Sequence, residues 1–280
     1  MNFLEQALSW FTLAFLVLLC TLVFARTTQR ILPLFTVYVS VLLVSMVVVW
    51  LTYEFLGINS LAAYYVYWWS VLLNASARSL AIVELCRYGL RAYQGIWALI
   101  WRVLSALSLF LLAHAIFDAW GQPDRFAIYG MTLDRDLAFA SIVILTVLLL
   151  FRNYYGITLE PLQRAIAVGV CIVCAVDVVG NTILRNLFTG YLSSWLSSSQ
   201  KALWPALAPQ VQLVRDVWST VHLFSFMFSI GIWCFALRKT LPEPSKAPVL
   251  FPADVYGELS PAINLRLATF NDRMVELLKP

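Results

Sequence analysis

Residues 32–55 read LPLFTVYVSVLLVSMVVVWLTYEF, with no charged side chain before Glu54. A helix needs roughly 20 apolar residues to cross the hydrocarbon core of a bilayer, and this run supplies them without interruption. It lacks the in/out alternation of a barrel strand, which leaves the helix as the spanning structure. Further apolar runs occupy 8–25, 62–85, 96–119, 137–151, 165–184 and 213–237. The fifth of the seven, 137–151, is short, and must borrow Leu133 or Asn153 at its ends or sit where the crossing is locally thin. The expected fold is all-α: a polytopic transmembrane bundle of seven helices.

Composition agrees. Hydrophobic residues make up 61% of the 280-residue chain and charged ones 12%, with a mean hydropathy of +0.81. A soluble domain is about half apolar and a quarter charged, so a water-soluble fold is excluded. The first segment has neither a basic leader nor a small-residue cleavage site and reads as a retained span.

Loop charge sets the expected orientation. One set of connections carries Arg26, Arg30, Arg87, Arg91, Arg152, Arg164, Arg238, Lys239 and Lys246; the other carries Arg125, Arg135, Arg185, Lys201 and Arg215 among seven acids. Nine basic residues against five places the first set in the cytoplasm, the amino terminus outside and the tail inside. The location is then a cell membrane, with the lipid bilayer as first partner. The net charge of +4 is a topology signal, and no nucleic-acid partner is expected.

Three regions follow: a transmembrane domain at 1–239, a Pro-rich cytoplasmic linker at 240–259 and an amphipathic tail helix at 260–280. Ser260 and Pro261 form a helix start. Ile263, Leu267, Phe270, Met274 and Leu277 then make an apolar stripe, with Arg266, Asp272, Arg273 and Glu276 away from it. The tail helix is the expected docking element for a cytoplasmic or membrane protein partner, or for the bundle or leaflet. Residues 186–210, where serines interleave with Tyr191, Trp195 and Trp204, read as an external loop on the membrane surface or folded over the bundle. Cys171 and Cys174 have C-x-x-C spacing inside a span with no second pair, which favours packing over metal or redox work. The aromatics at Tyr64, Tyr65, Tyr67, Trp68 and Trp69 and at Trp97 and Trp101 read as an interfacial belt.

Charges within spans are costly and usually face partners in the bundle interior. Arg78, Asp177 and His222 qualify, and helical rise puts all three near the midplane. Asn74 precedes Arg78 by one turn and Asn181 follows Asp177 by one turn. An Arg78–Asp177 ion pair bordered by His222, with Asn74, Asn181 and Ser219 completing the hydrogen bonds, is the expected polar cluster. It reads either as an ion pair that fixes helix packing or as a ligand pocket or proton-linked switch, with His222 as the group that titrates near neutral pH. The first, second and fifth spans are almost wholly apolar and read as scaffold. Glu84 is expected in an interfacial salt bridge with Arg87 or Arg102, and His114 as an interface histidine near Asp118.

Enzyme chemistry finds little support. His114 and His222 are the only histidines, so a metal site would have to join both to Asp177, short of the usual zinc ligand sets. No G-x-S-x-G, H-E-x-x-H or phosphate-binding glycine loop occurs, and Ser219 with His222 is a weak pair for an intramembrane hydrolase. A small-molecule or ion transporter is a further alternative, although Gly169, Gly180 and Gly231 do not pair between halves as inverted repeats would require. The favoured reading is a non-enzymatic sensory or signalling component, or an accessory subunit of a membrane complex, without a cofactor.

Two resemblances bear on this. The seven-span, outside-to-inside plan is similar in architecture to rhodopsin-like receptors. Microbial and animal rhodopsins themselves bind retinal through a lysine in the seventh helix, whereas Lys201, Lys239, Lys246 and Lys279 all lie outside the spans, so retinal is not expected. Leu32-Pro33-Leu34-Phe35, the run from Tyr64 to Trp69, Glu84-Leu85-Cys86-Arg87 and the tail run from Leu259-Ser260-Pro261 to Asn271 resemble strings in uncharacterised seven-helix bacterial membrane proteins. That resemblance implies a bacterial inner membrane and no particular activity.

Overall fold

The structure, a computed structural model, describes residues 3–238 apart from 27, 58–59, 91–93, 123, 156–158 and 198–208, and in the tail only 269, 272 and 273. The linker 240–259 and all but those three positions of the tail helix 260–280 lie outside the described residues.

The helices are α1 (Phe3–Ala25), α2 (Thr28–Ile31), α3 (Pro33–Leu56), α4 (Leu61–Gly89), α5 (Gln94–Ala119), α6 (Arg125–Tyr155), α7 (Pro161–Ser197) and α8 (Pro209–Arg238). Seven of them are long, and no strand occurs among the described residues. Five contain stretches long and apolar enough to cross a membrane: Ala7–Ala25, Pro33–Leu56, Gly95–Ala119, Pro161–Ile183 and Val217–Arg238. The helices are those compatible with a multi-pass integral membrane protein. The other two long helices, α4 and α6, carry Arg78, Glu84 and Arg87, and Asp134, Arg135 and Asp136.

Local chemistry sets the helix starts. Ser60 caps α4, its Oγ accepting the Ala63 N–H at 3.1 Å. Asp124 caps α6, accepting the Ala127 N–H at 3.2 Å, and takes the Tyr64 hydroxyl as a second donor. Pro33 occupies the first turn of α3, where its missing N–H costs nothing. Two of that turn's N–H groups are met from another helix: Glu84 of α4 accepts from Leu34 at 3.0 Å and Phe35 at 2.8 Å. Glu84 is therefore a helix cap, and among the described residues it forms no salt bridge with Arg87 or Arg102. The first-turn N–H groups, partial positive charges at a helix end, are a better partner than a flexible surface arginine.

These contacts also fix direction. Glu84 near the end of α4 meets the start of α3, so the two run antiparallel, as do α1 and α3, where Trp10 and Trp50 stand 5.5 Å apart edge to face. His114 late in α5 meets Asp136 early in α6, and Arg26 after α1 holds the carbonyl of Arg238 at the end of α8 at 3.1 Å. The seven long helices alternate in direction. In space α1, α3, α4, α6, α7 and α8 close a ring in that order, and α5 packs outside it, mainly on α6.

Glycines set the close approaches. A Cβ on Gly169 of α7 would stand 2.3 Å from Trp233 Nε1, and one on Gly180 would stand 1.7 Å from Trp218 Cζ2. Eleven residues apart, the two glycines lie on one face of α7 and receive two indoles from α8. Trp233 is fully buried, edge-on to Phe35 at 5.6 Å and Tyr38 at 6.2 Å. Ser229 ties the same interface by donating to the Gly169 carbonyl at 3.0 Å. On α6, Gly130 makes room for Trp68, whose buried ring belongs to the core and not to an interfacial belt; Tyr65, Tyr67 and Trp69 point outward. Cys86 and Cys174 lie in the core as free thiols.

Two expectations about boundaries are corrected. α6 begins at Arg125, well before 137, because Phe126, Ile128, Tyr129 and Leu133 continue its apolar face ahead of the charged triplet. Residues 186–197 prolong α7 instead of forming a loop, while 198–208 lie outside the described residues. At 37 residues, α7 is about 55 Å long, well over a bilayer core. Arg135, Arg185 and Arg215 thus belong to helices and not to connections. Arg30, Arg87, Arg125, Arg152, Arg164 and Arg238 lie in helices as well.

Candidate functional site

Three helices meet at Arg78, and a fourth joins through Asp177. Its guanidinium forks between two acids: Nη1 donates to Asp177 Oδ2 on α7, and Nη2 to Asp134 Oδ1 on α6 at 2.7 Å. The second oxygen of each acid is also engaged. Asn181 Nδ2 donates to Asp134 Oδ2 at 2.8 Å, and His222 Nδ1 of α8 stands 3.2 Å from Asp177 Oδ1. A planar fork with fixed donors suits this geometry better than a lysine could.

The members differ in access. The side chains of Arg78, Asp177 and Asp134 are 6%, 9% and 14% exposed, while His222 is 41% exposed. His222 is the member at the edge, set on α8 between the rings of Trp218 and Phe226, each 6.4 Å away. With both acids ionised and Arg78 charged, the cluster carries one negative charge in excess. A protonated His222 cancels it, and a neutral His222 does not.

Arg78, Asp177, Asn181 and His222 are brought together. Asn74 and Ser219 do not complete the network. The buried Oδ1 of Asn74 has no partner among the described residues, and neither does Nε of Arg78 one turn later. Ser219 makes no hydrogen bond to the cluster among the described residues. Helical spacing puts Asn74 on the face of Arg78, but a short amide ends before the longer guanidinium reaches its acids.

Asp134 is the residue that sequence reasoning missed. Asp134-Arg135-Asp136 reads as a polar connection, and the fifth span, taken as scaffold, starts after it. The signal was there in Phe126, Ile128, Tyr129 and Leu133, whose spacing continues a helix through the triplet. Arg135 and Asp136 neutralise each other at 2.8 Å, which leaves Asp134 to face the bundle.

A second, more exposed polar site lies between α5 and α6. His114 Nδ1 stands 2.7 Å from Asp136 Oδ2, and Thr132 Oγ1 donates to Asp118 Oδ2 at 2.6 Å. His114 is thus a partnered histidine, its acid being Asp136 of α6, while the nearby Asp118 takes the Thr132 hydroxyl. His114 and His222 contact different acids, so the candidate ligands His114, Asp177 and His222 are not assembled around one centre. Among the described residues no group of three or more His, Cys, Asp or Glu side chains is placed to hold a metal ion.

Compared with known protein families, curated proteins and solved structures, the chain matches none. None of these comparisons supports the expected likeness to seven-helix bacterial membrane proteins.

Proposed function

We propose that this chain crosses the membrane seven times, amino terminus outside and tail in the cytoplasm, and acts as a proton-responsive sensory or signalling component without catalytic activity. The observation that carries the reading is the Arg78–Asp134–Asp177–His222 network, which ties α4, α6, α7 and α8 through buried charges and ends in one accessible imidazole. The charge asymmetry of the two helix ends supports the orientation. Asp177 stands about 24 Å beyond Pro161 and His222 about 24 Å before Arg238 along their helices. Both therefore lie past the middle of a hydrocarbon core of about 30 Å, on the extracytoplasmic side.

The mechanism is a change in how α8 is held to α7. An imidazolium forms an ion pair with Asp177 and balances the second carboxylate; a neutral imidazole can still donate Nδ1–H to Asp177 but brings no positive charge. The groups that face His222 are Asp177 from α7, Asp134 from α6 and Arg78 from α4, so its protonation bears on all three helices. α8 leads directly into the tail, through which residues 260–280 pass the shift to a partner. Such a switch needs only a few kcal/mol of difference between two arrangements.

The test is the α7–α8 distance between paired spin labels in lipid nanodiscs, followed from pH 5 to 8. A distance distribution that changes with pH in the wild type and is fixed in His222→Gln supports the reading; a pH response that survives in His222→Gln overturns it. A proton-dependent solute flux in proteoliposomes would move the same network to a carrier. A second reading, accessory subunit of a membrane complex, is favoured by α5, whose outward face of Leu109, Phe110, Ile116 and Phe117 is unused by the ring.

A further inference from the structure

Two tryptophans of α8 sit on glycines of α7, and they are not held alike. Trp233, on Gly169, is fully buried and stands edge-on to Phe35 and Tyr38. Trp218 lies on Gly180, where a Cβ would overlap its Cζ2, Cε2 and Cη2 atoms. Its ring is half-buried, its one ring contact among the described residues is His222, and its Nε1 makes no hydrogen bond to any of them. Packing on a glycine is what keeps this indole in place.

Its place on the seam between the helices matters. Trp218 precedes His222 by one turn of α8, and Gly180 follows Asp177 by nearly one turn of α7. Because α7 and α8 run antiparallel, the indole on its glycine lies just beyond the His222–Asp177 contact, on the side away from Pro161 and Arg238. Phe226 flanks the imidazole on the opposite side, its ring at 6.4 Å and within 6° of parallel. The exposed neighbours of His222 on α8, Val221 and Phe224, are apolar, and a hydrated proton does not cross the hydrocarbon that covers such a face. Beyond Trp218, α7 turns polar at Asn181, Thr182 and Asn186. Water from that end meets the indole before it meets the imidazole.

We propose that Trp218 is a gate on the proton route from the extracytoplasmic end to His222, with Gly180 as its seat. With the ring seated, the imidazole exchanges protons slowly with water; with the ring swung outward, Nε2, which has no partner among the described residues, is open to it. The charges that face His222 are Asp177 from α7, Asp134 from α6 and Arg78 from α4. The other neighbour of α8 is α1, which carries no charged side chain from Ala7 to Ala25 and only Cys20 as a titratable one. The network thus sets which charge state is favoured, and Trp218 sets access to it. The inference rests on the reading of His222 as the proton-responsive group.

The experiment uses the full chain in lipid nanodiscs and follows the reaction of both histidines with diethyl pyrocarbonate by mass spectrometry. His114 is the internal reference, its side chain 43% exposed against 41% for His222. Rates are compared on the alkaline plateau, where both imidazoles are neutral, so that access is read apart from protonation. Trp218→Ala should raise the His222 rate relative to His114 about fivefold, the order expected for freeing a half-buried aromatic ring from its contact. Gly180→Ala pushes the indole off its seat and should raise the ratio as well, but not when added to Trp218→Ala, since it acts through that ring. An unchanged ratio in Trp218→Ala overturns the gate, and so does a parallel rise at both histidines, which marks a loosened fold. A full Gly180→Ala effect without the indole overturns the seat. Labelling reads access alone, so a gate that holds while the α7–α8 distance ignores pH would leave the gate standing and remove the switch.

Discussion

Glu84 of α4 accepts the main-chain N–H of Phe35 at 2.8 Å, and so closes the start of a helix fifty residues earlier in the chain. With Leu34 bound to the other oxygen, one carboxylate satisfies two of the donors that α3 cannot satisfy itself. Pro33 has no N–H to add. Glu84→Ala leaves the buried Phe35 N–H and the part-buried Leu34 N–H without their acceptor, at a cost of about 1–3 kcal/mol for the buried one and less for the other. Glu84→Gln keeps one acceptor oxygen and turns its amide toward the other donor, so it loses less. Thermal unfolding in detergent should rank wild type above Gln above Ala; an Ala variant as stable as wild type would remove Glu84 from the capping role.

Gly169 and Gly180 of α7 and Gly231 of α8 should respond differently to alanine. At Gly169 the new methyl meets Trp233, whose fully buried ring is held by Phe35 and Tyr38 and cannot yield. Overpacking of this kind costs about 1–3 kcal/mol. At Gly180 the clash is with Trp218, which is partly exposed and can swing outward, so the loss is smaller despite the closer built distance. Gly231→Ala is neutral or slightly stabilising, since alanine is the better helix former. The check is the order of unfolding temperatures, with Gly169→Ala lowest.

Continuous apolar runs made the long helices legible, and five of the seven are long and apolar enough to cross a membrane. The same rule concealed the start of α6: hydropathy falls at Asp134-Arg135-Asp136, and only the apolar spacing before it reveals that the helix continues. Arg78, Asp177 and His222 were legible as costly charges without a sequence-local partner. Glu84 was misread because its partners are main-chain N–H groups, which carry no letter in a sequence. The pairing of His114 with Asp136 was hidden for a related reason, since helical spacing ranks neighbours on one helix and says nothing of the next one.

Ion pairs at the edge of the bundle should count for little. His114, 43% exposed, faces an Asp136 that already holds Arg135. His114→Gln keeps a donor within reach of the carboxylate, and exposed pairs contribute about 0–1 kcal/mol. Its unfolding midpoint should fall close to that of wild type at both low and high salt. A large loss would mean that α5 is held to the ring through this contact and not by its apolar packing on α6.

Arg78 should show the opposite behaviour, because one cation serves two acids. Arg78→Met leaves Asp134 and Asp177 facing each other without a counter-charge, and removal of one partner from a buried pair costs about 3–5 kcal/mol. Asn181 and His222 still bond one oxygen of each acid, which limits the loss without abolishing it. Adding Asp134→Asn and Asp177→Asn to Arg78→Met removes the uncompensated charge and should recover part of the stability, so the triple variant unfolds later than the single one. Asp134→Asn alone should lose less than Arg78→Met, since Asp177 still pairs with the guanidinium. The measurement is the midpoint of unfolding in mixed dodecyl sulfate and maltoside micelles across the four proteins. If Arg78→Met matches wild type, the network does not hold α4 to α6 and α7; if the triple variant falls below the single one, hydrogen-bond geometry outweighs charge balance at this site.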